Sequence, residues 1–445
     1  MKAVTTGSKE DSPLGRAIGD YGMVFVLLLL VAMFSVLTIA EQNPSGVDAG
    51  RQVADRIADR YGKSAGVIIV VRDTADDRVF AEAIRSRLAD LGPTVHATVH
   101  GSPADARQAI EATLGKGQAI DAVAANSATS NWSIYDRFNE VGREKLVIPE
   151  PYTWPNFLKL TNLLGVANQT AIYAIIAIGM TMVIITAGID LSVGSLVALA
   201  SVAGALVIRD FGGGAGAGLG MMLVGMAVGV GVGGVAGLFN GAMVTAFGIP
   251  AFIVTLGMML MASGLAYRLS EGASIPQLPA SFFWVGGGET LGLPNPVWLM
   301  VLLYAIAHVV MTRTAYGRYV YAIGGNEEAA RLSGVPVKRV LLVVYTLSGG
   351  LAGLGGIVLA SKLHAGDPKF GLMYELEVIA AVVVGGTSLL GGSGKILGTL
   401  IGAFIIAVIK NGMNLTDVDP FNQKIVLGAV LLAAVAIDTI KRRSS

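Results

Sequence analysis

Cysteine is absent from the 445 residues, which excludes disulfides, thiolate zinc sites and cysteine nucleophiles. Charge is scarce as well. Asp, Glu, Lys and Arg make up 14% of the chain, against about 25% in a soluble domain. The 32 bases and 31 acids leave a net charge of +1, so no basic face argues for nucleic acid as a partner. Histidine occurs four times, as His96, His100, His308 and His364, and none has a metal-site spacing such as HExxH. His96 and His100 would share one face of a helix, but the sequence around them reads as a strand and places them at the surface. No metal site is expected.

What fills the chain instead is apolar. Hydrophobic residues reach 53% and glycines number 59. Apolar runs of about 20 residues recur, the length that crosses a hydrocarbon core of about 30 Å. Spans are expected near 21–40, 166–187, 192–208, 217–240, 250–268, 296–312, 340–361, 375–390, 396–412 and 424–440. The fold class that follows is mainly α, a polytopic membrane protein of about ten transmembrane helices. Lys2, Lys9 and Arg16 precede the run Tyr21–Ala40 and keep that end cytoplasmic. A cleaved signal peptide competes for this run, but "LTIAEQN" is a poor cleavage site, and an uncleaved anchor is the better reading. Arg313, Arg318, Arg331, Lys338 and Arg339 stand in the polar loop 313–339, and Lys441, Arg442 and Arg443 close the chain. With an even number of spans both clusters fall on the cytoplasmic side with the N-terminus, as the positive-inside rule requires.

Residues 41–150 are of another kind. They hold 16 acidic and 13 basic residues, close to half of all charges in a quarter of the length. "GVIIVV" (66–71), "TVHATV" (94–99), "AIDAVAA" (119–125) and "KLVIP" (145–149) read as strands. Helical spacing marks 77–92 and 102–117, each closed by a glycine. Strand–helix–strand alternation implies a small parallel sheet. The organisation expected is therefore 1–40 as N-terminus and first span, 41–155 as an inserted extracytoplasmic α/β domain, and 156–445 as the main transmembrane domain.

Several motifs have bland explanations. Gly225–Gly229, Gly233–Gly237–Gly241, Gly349–Gly353 and Gly394–Gly398–Gly402 are spacings that let helix backbones approach closely in lipid. "GVGVGG" (229–234) matches a dinucleotide fingerprint, but it lies inside a span with no strand before it. "LLGGSGKI" (389–396) fails as a phosphate loop, because Leu389 and Ile396 stand where glycine and Ser/Thr are needed. The chain is not expected to hydrolyse a nucleotide itself. In "GNEEAARLSGVPVKR" (325–339) the Glu327-Glu328 pair favours a helix N-terminus, and Gly334 and Pro336 end a short helix. That helix is a surface cap or a handle for a partner.

"TAGIDLSVGS" (186–195) sets a carboxylate, Asp190, between two apolar runs. A charge fully inside lipid is expensive, and those that occur face a cavity or end a helix. Gly188 breaks the preceding span, and Asp190 or Ser192 offers an acceptor to the free N–H groups of the next helix. Capping is the first reading; lining a path or facing a partner is the second.

Together, "MTMVIITAGIDLSVGSLVAL", "FNGAMVTAFGIPAFIVTLGMM", "GRYVYAIGGNEEAARLSGV" and "YELEVIAAVVVGGTSLLGGSGKILGTLIGA" resemble the permease subunits of bacterial ATP-driven (ABC) sugar importers, in the ribose, galactose and xylose branch. The four motifs occur in that order over residues 156–440. The resemblance implies a transport permease rather than an enzyme, set in the bacterial inner membrane. It implies no cofactor in this chain, since ATP is held by a separate ATPase subunit. It also implies a periplasmic sugar-binding protein and a second permease copy. The ATPase docks on the loop helix, which makes Glu327, Glu328, Ala329, Arg331 and Gly334 the coupling residues. Polar groups for sugar hydroxyls along the path are then Asn168, Gln169, Asn240, Thr255, Tyr374, Glu375 and Asn411, each of which also reads as an interhelical hydrogen bond. Glu375 and Glu377 suit a helix N-terminus.

Two features depart from the family pattern. Ala187 stands where a second glycine is common, and the 41–155 insertion is extra. The insertion looks like part of one lobe of a sugar-binding protein; binding substrate weakly, docking the binding protein and acting as a spacer all stay open. An ion-coupled transporter using Asp190 or Glu375 as proton carrier is the rival function. Against it stand the docking loop and the expectation that no charged pair is buried within a span.

Overall fold

A computed structural model describes residues 13–443; Lys2 and Lys9 lie outside the described residues. The chain divides into two compact units, one formed by Met1–Thr38 with Asn156–Ser445 and the other by Ile39–Pro155. The first unit begins with α1 (Pro13–Leu37).

The second unit opens with β1 (Ile39–Gln42), which pairs antiparallel with the unit's last strand, Tyr152–Pro155. Then follow α2 (Gly46–Tyr61), β2 (Gly66–Val71), α3 (Ala75–Leu91), β3 (Thr94–His100), α4 (Pro103–Gly115), β4 (Ala122–Ala125) and β5 (Leu146–Val147). The four strands β2 to β5 form a parallel sheet in the order β3-β2-β4-β5. Helices cover both faces, so β2 is buried along its whole length. Val67, Ile69 and Val71 meet α2 and α3, and Ile68 and Val70 face the cluster that includes Ile110 of α4. The expected glycines close both helices in the left-handed region, Gly92 after α3 and Gly117 after α4, where it follows the cap residue Lys116. α2 has no counterpart among the expected elements. Its apolar positions are mostly alanine and valine between charges, which hides the stripe made by Ala49, Val53 and Ile57.

Ligands of open α/β sheets bind at the carboxyl ends of the strands, where the strand order reverses. Here Asp77 closes that position. It accepts from Arg72 at 2.9 Å and from Asn126 at 2.9 Å, and the Asn126 carbonyl in turn accepts from the Thr129 amide at 3.0 Å. The polar groups at this edge satisfy one another.

The first unit continues with α5 (Leu160–Ile185), α6 (Val193–Leu206, extended by a π turn to Phe211), α7 (Leu219–Phe247), α8 (Ala251–Leu269) and the short α9 (Phe283–Gly286). Next come α10 (Asn295–Arg313), α11 (Ala315–Gly325), α12 (Glu327–Leu332), α13 (Val337–Leu363), α14 (Tyr374–Val384), α15 (Ile396–Leu415) and α16 (Pro420–Arg443). Among the described residues, seven helices are long and apolar enough to cross a membrane: α5, α6 with its π turn, α7, α8, α10, α13 and α15. The expected span 375–390 is corrected. α14 has 11 residues, about 16 Å of helix, too short to cross. Gly385 and Gly386 stop it, the latter at φ 86°. Before α14, the segment 364–373 runs back along α6, with Gly366 against Ser201 and Ala205 and Gly371 against Gly194 and Val197. α14 therefore begins level with the first turn of α6.

The glycine spacings do what lipid chemistry asks of them. Helices in a bilayer gain little from burying apolar side chains and associate through close backbone packing. A Cβ on Gly233 would fall on the Gly349 carbonyl, one on Gly349 on the Gly233 carbonyl, and one on Gly237 on the Tyr345 carbonyl. α7 and α13 thus touch backbone to backbone. Gly398 and Gly402 meet α14 the same way, at Gly385 and Ala381. Gly349→Leu is expected to cost about 3 kcal/mol through overpacking and to lower the unfolding midpoint in detergent by scanning fluorimetry. Gly231→Leu, where a Cβ meets nothing within 4 Å, should leave the midpoint unchanged; equal losses in both would refute the packing argument.

Candidate functional site

α5 ends in a Schellman motif: the Gly188 amide bonds the Val183 carbonyl at 3.0 Å and the Ala187 amide bonds the Ile184 carbonyl at 2.9 Å. That motif needs its C′ residue in the left-handed region, which is why glycine is usual there. Ala187 takes the position at φ 60°. Gly188 follows so tightly that a Cβ would strike the Tyr345 hydroxyl.

The turn then delivers Asp190, fully buried along with Ser192, Asn240, Thr255 and Ser348. One carboxylate oxygen accepts from the Ser192 amide at 3.0 Å and from the Ser192 hydroxyl. The other accepts from the Ser348 hydroxyl of α13 at 2.8 Å. Asn240 of α7 donates to the Ser192 hydroxyl at 3.1 Å, and Thr255 of α8 donates to the Ile189 carbonyl at 3.1 Å. Three helices are thereby tied to one turn. The expected cap on α6 is corrected. Ser192 is the N-cap residue and makes no side-chain cap, and Asp190 takes the N–H of Ser192 itself, not one from the first turn of α6. The Asn240 carbonyl oxygen is buried without a partner among the described residues.

A second contact joins this turn to the polar loop. The Gly392 amide bonds the Ile185 carbonyl at 2.9 Å. Gly324 of α11 packs on the same carbonyl, and Tyr321 donates to the Gly394 carbonyl at 2.9 Å. α11 leads straight into α12, where Asn326 caps by accepting the Ala329 amide at 2.9 Å. Glu328 and Arg331 are exposed and pair with each other, Nε to carboxylate at 3.0 Å. Those hydrogen bonds hold the Glu328 carboxyl below its usual range and the Arg331 guanidinium above its own. Ala330 turns inward, Leu332 stays exposed, and Gly334 adopts φ 85°.

A family profile described as branched-chain amino acid transport system / permease component matches residues 162–435. The chain belongs to this family. The permease is 43% identical over 292 residues to the ribose import permease protein RbsC of Escherichia coli (strain K12), covering 65% of this chain and 88% of that protein. It is 45% identical over 289 residues to RbsC of Bacillus subtilis (strain 168), covering 64% and 87%. Identity to the L-arabinose transport system permease protein AraH of Escherichia coli (strain K12) is 39% over 290 residues, covering 65% and 86%. No solved structure matches the chain. The second unit lies outside the residues that the family profile matches.

The remaining expected path residues of the permease do not converge. Tyr374 packs on Tyr173 with the rings tilted by 43° and their centroids 4.5 Å apart, while Gln169 is exposed beside a small cavity with Tyr173 and Lys410. Asn168 has a buried carbonyl oxygen without a partner among the described residues, and Asn411 exchanges amide hydrogen bonds with Asn162 at 2.8 and 3.0 Å. Glu375 lies against Gly194 at the start of α6. The expected lack of a charged pair buried within a span holds among the described residues only for full burial, since a half-buried pair is present. Lys410 of α15 bonds both oxygens of Glu377 at 2.8 and 2.9 Å, with side chains 22% and 19% exposed. Its ammonium also sits 5.2 Å from the Tyr173 ring. A lone lysine in "FIIAVIKNGM" was the signal, since a charge within a span implies a partner. Ser348 gave none, because serine is ordinary on a small-residue helix face.

Two outcomes follow for the permease. Ala187→Gly removes a left-handed Cβ worth about 1 kcal/mol and should raise the unfolding midpoint; a lower midpoint would mean that the alanine methyl packs usefully. Asp190→Asn keeps an acceptor for Ser192, and the Ser348 hydroxyl can rotate to accept, so the loss should stay near 1 kcal/mol. Asp190→Leu strands the donors of Ser192 and Ser348 and should cost several times more, about 1–3 kcal/mol for each. Equal midpoints for the two variants would refute the hydrogen-bonded role.

Proposed function

We propose that this chain is the membrane-spanning subunit of an ATP-driven importer of a monosaccharide. The observation that carries it is the 39–45% identity to permeases named for ribose and L-arabinose, over 86–88% of their lengths. In this reading α1 and α16 cross the membrane beside the seven long helices, and the segment 364–373 together with α14 makes a tenth crossing, the irregular stretch covering the depth that the short helix alone cannot. The α11–α12 loop and both chain ends are cytoplasmic, and residues 41–155 are periplasmic, by the positive-inside rule. ATP is bound and hydrolysed on a separate ATPase subunit, a periplasmic binding protein delivers the sugar, and two permease copies enclose the path within the inner-membrane lipid.

Glu327, Glu328, Ala329, Arg331 and Gly334 are the docking residues in this account. α12 supports it by being short, capped and exposed, and by following α11, which grips the loop beside Ile185. The coupling is mechanical: a shift of α12 reaches the Asp190 turn through Gly324, Gly392 and Ile185. The satisfied polar edge of the periplasmic sheet favours a docking or spacing role for the insertion over sugar binding.

The test is uptake by proteoliposomes holding the permease, its ATPase and its binding protein. D-Ribose or L-arabinose should accumulate only with ATP, and a proton gradient alone should drive none. Replacing both Glu328 and Arg331 with alanine should cut uptake at least tenfold and release the ATPase on co-purification, with folding intact because exposed ion pairs add little stability. Gradient-driven flux without ATP would overturn the reading.

A further inference from the structure

The first turn of α6, the C-terminal half of α8, the segment 364–373 and the start of α14 line a partly open cavity of about 240 Å³. It is smaller than the ~300–1,000 Å³ clefts that take drug-sized ligands, and in scale with one sugar ring. Its polar lining is Ser195, Ser263, Tyr267, Lys369 and Glu375. None of the five is hydrogen-bonded or ion-paired to another residue through its side chain among the described residues. Other polar groups of the transmembrane unit are tied together, as Asp190, Thr181 with Thr399, and Lys410 with Glu377 are. Tyr267 and Lys369 are exposed, but Ser195, Ser263 and Glu375 are half-buried, and half-buried groups kept free of protein partners are groups kept for something else.

The backbone points the same way. α14 starts inside the membrane unit instead of at its edge, and the irregular segment before it is tolerated at that depth only where it lines a cavity. Interrupted helices of this kind build binding sites in transporters. The lining has one acid and one base, so it favours no net charge on the ligand. Three hydroxyls, an ammonium and a carboxylate supply donors and acceptors in turn, and Tyr267 and Phe370 add aromatic surface.

We infer that this cavity binds a neutral, hydroxyl-rich molecule of monosaccharide size, which makes Ser195, Ser263, Tyr267, Lys369 and Glu375 a sugar site within the permease itself. The inference rests on the sugar-importer reading and assigns that reading a place. Of these residues only Glu375 stood out in the sequence.

Because the chain has no cysteine, Ser263→Cys introduces a single thiol. In the full-length permease, D-ribose or L-arabinose at millimolar concentration should slow maleimide labelling of that thiol at least fivefold. L-Leucine, a zwitterion, should not. A thiol at Leu291, which is 88% exposed, should label at the same rate throughout. Glu375→Gln added to Ser263→Cys should raise the protecting sugar concentration at least tenfold without moving the unfolding midpoint. A thiol that never labels, labelling indifferent to sugar, or protection by leucine instead would each overturn the inference. Protection without ATP-driven sugar uptake would leave the cavity standing and remove the importer reading; uptake without protection would do the reverse.

Discussion

Inside a membrane no water replaces a missing partner, so a buried polar group is costly unless the protein supplies one. The Asp190 carboxylate shows how far this constraint organises the structure. It is fully buried, and its two oxygens face different ways, one to its own turn and one to Ser348 of α13. Asn240 and Thr255 complete the tie from α7 and α8. The turn therefore serves as a fastening point for helices that are far apart in sequence. Removing the acceptor leaves several stranded donors, which is a heavier penalty than any single hydrogen bond is worth.

Close backbone contact is the second condition, and it makes the first possible. The Ser348 hydroxyl can reach Asp190 only because α13 lies against its neighbours with glycines at the contact. Gly179 of α5 admits the Ser348 backbone, and Gly349 admits α7. Had either carried a side chain, α13 would stand off and the carboxylate would lose one of its partners. Packing and polar satisfaction are in this sense a single requirement.

Much of this was readable before any coordinates. The long apolar runs mark the seven helices, though α5 begins and α7 ends well outside the expected bounds, and the glycine spacings mark the faces that meet, because both follow from composition and period alone. The strands 66–71 and 94–99 were equally plain, as β-branched runs between turns. What escaped depends on contacts distant in sequence. The span expected at 375–390 looks apolar throughout, yet Gly385 and Gly386 end the helix early; glycine is so frequent here that two more carry no signal. Asp190 read as a cap because its near neighbours allow one, while its partner in α13 lies 158 residues away. Glu377 looked like a helix-start charge because Lys410, its partner, is on another helix. The departure at Ala187, by contrast, was visible as an oddity, and its left-handed backbone explains why glycine is the expected residue.

The backbone contact between α7 and α13 also bears on motion. Side chains can slide past one another by changing rotamer, but a seam of glycines and carbonyls has no rotamers to change. Pulling such helices apart by even a fraction of an ångström forfeits dispersion contacts along their whole length, with no water to fill the gap. The two helices are thus a rigid strut spanning the transmembrane unit. Any alternation between open and closed forms has to be taken up by the interrupted elements around it, by α14 and the loops at either end, while the strut moves as one piece.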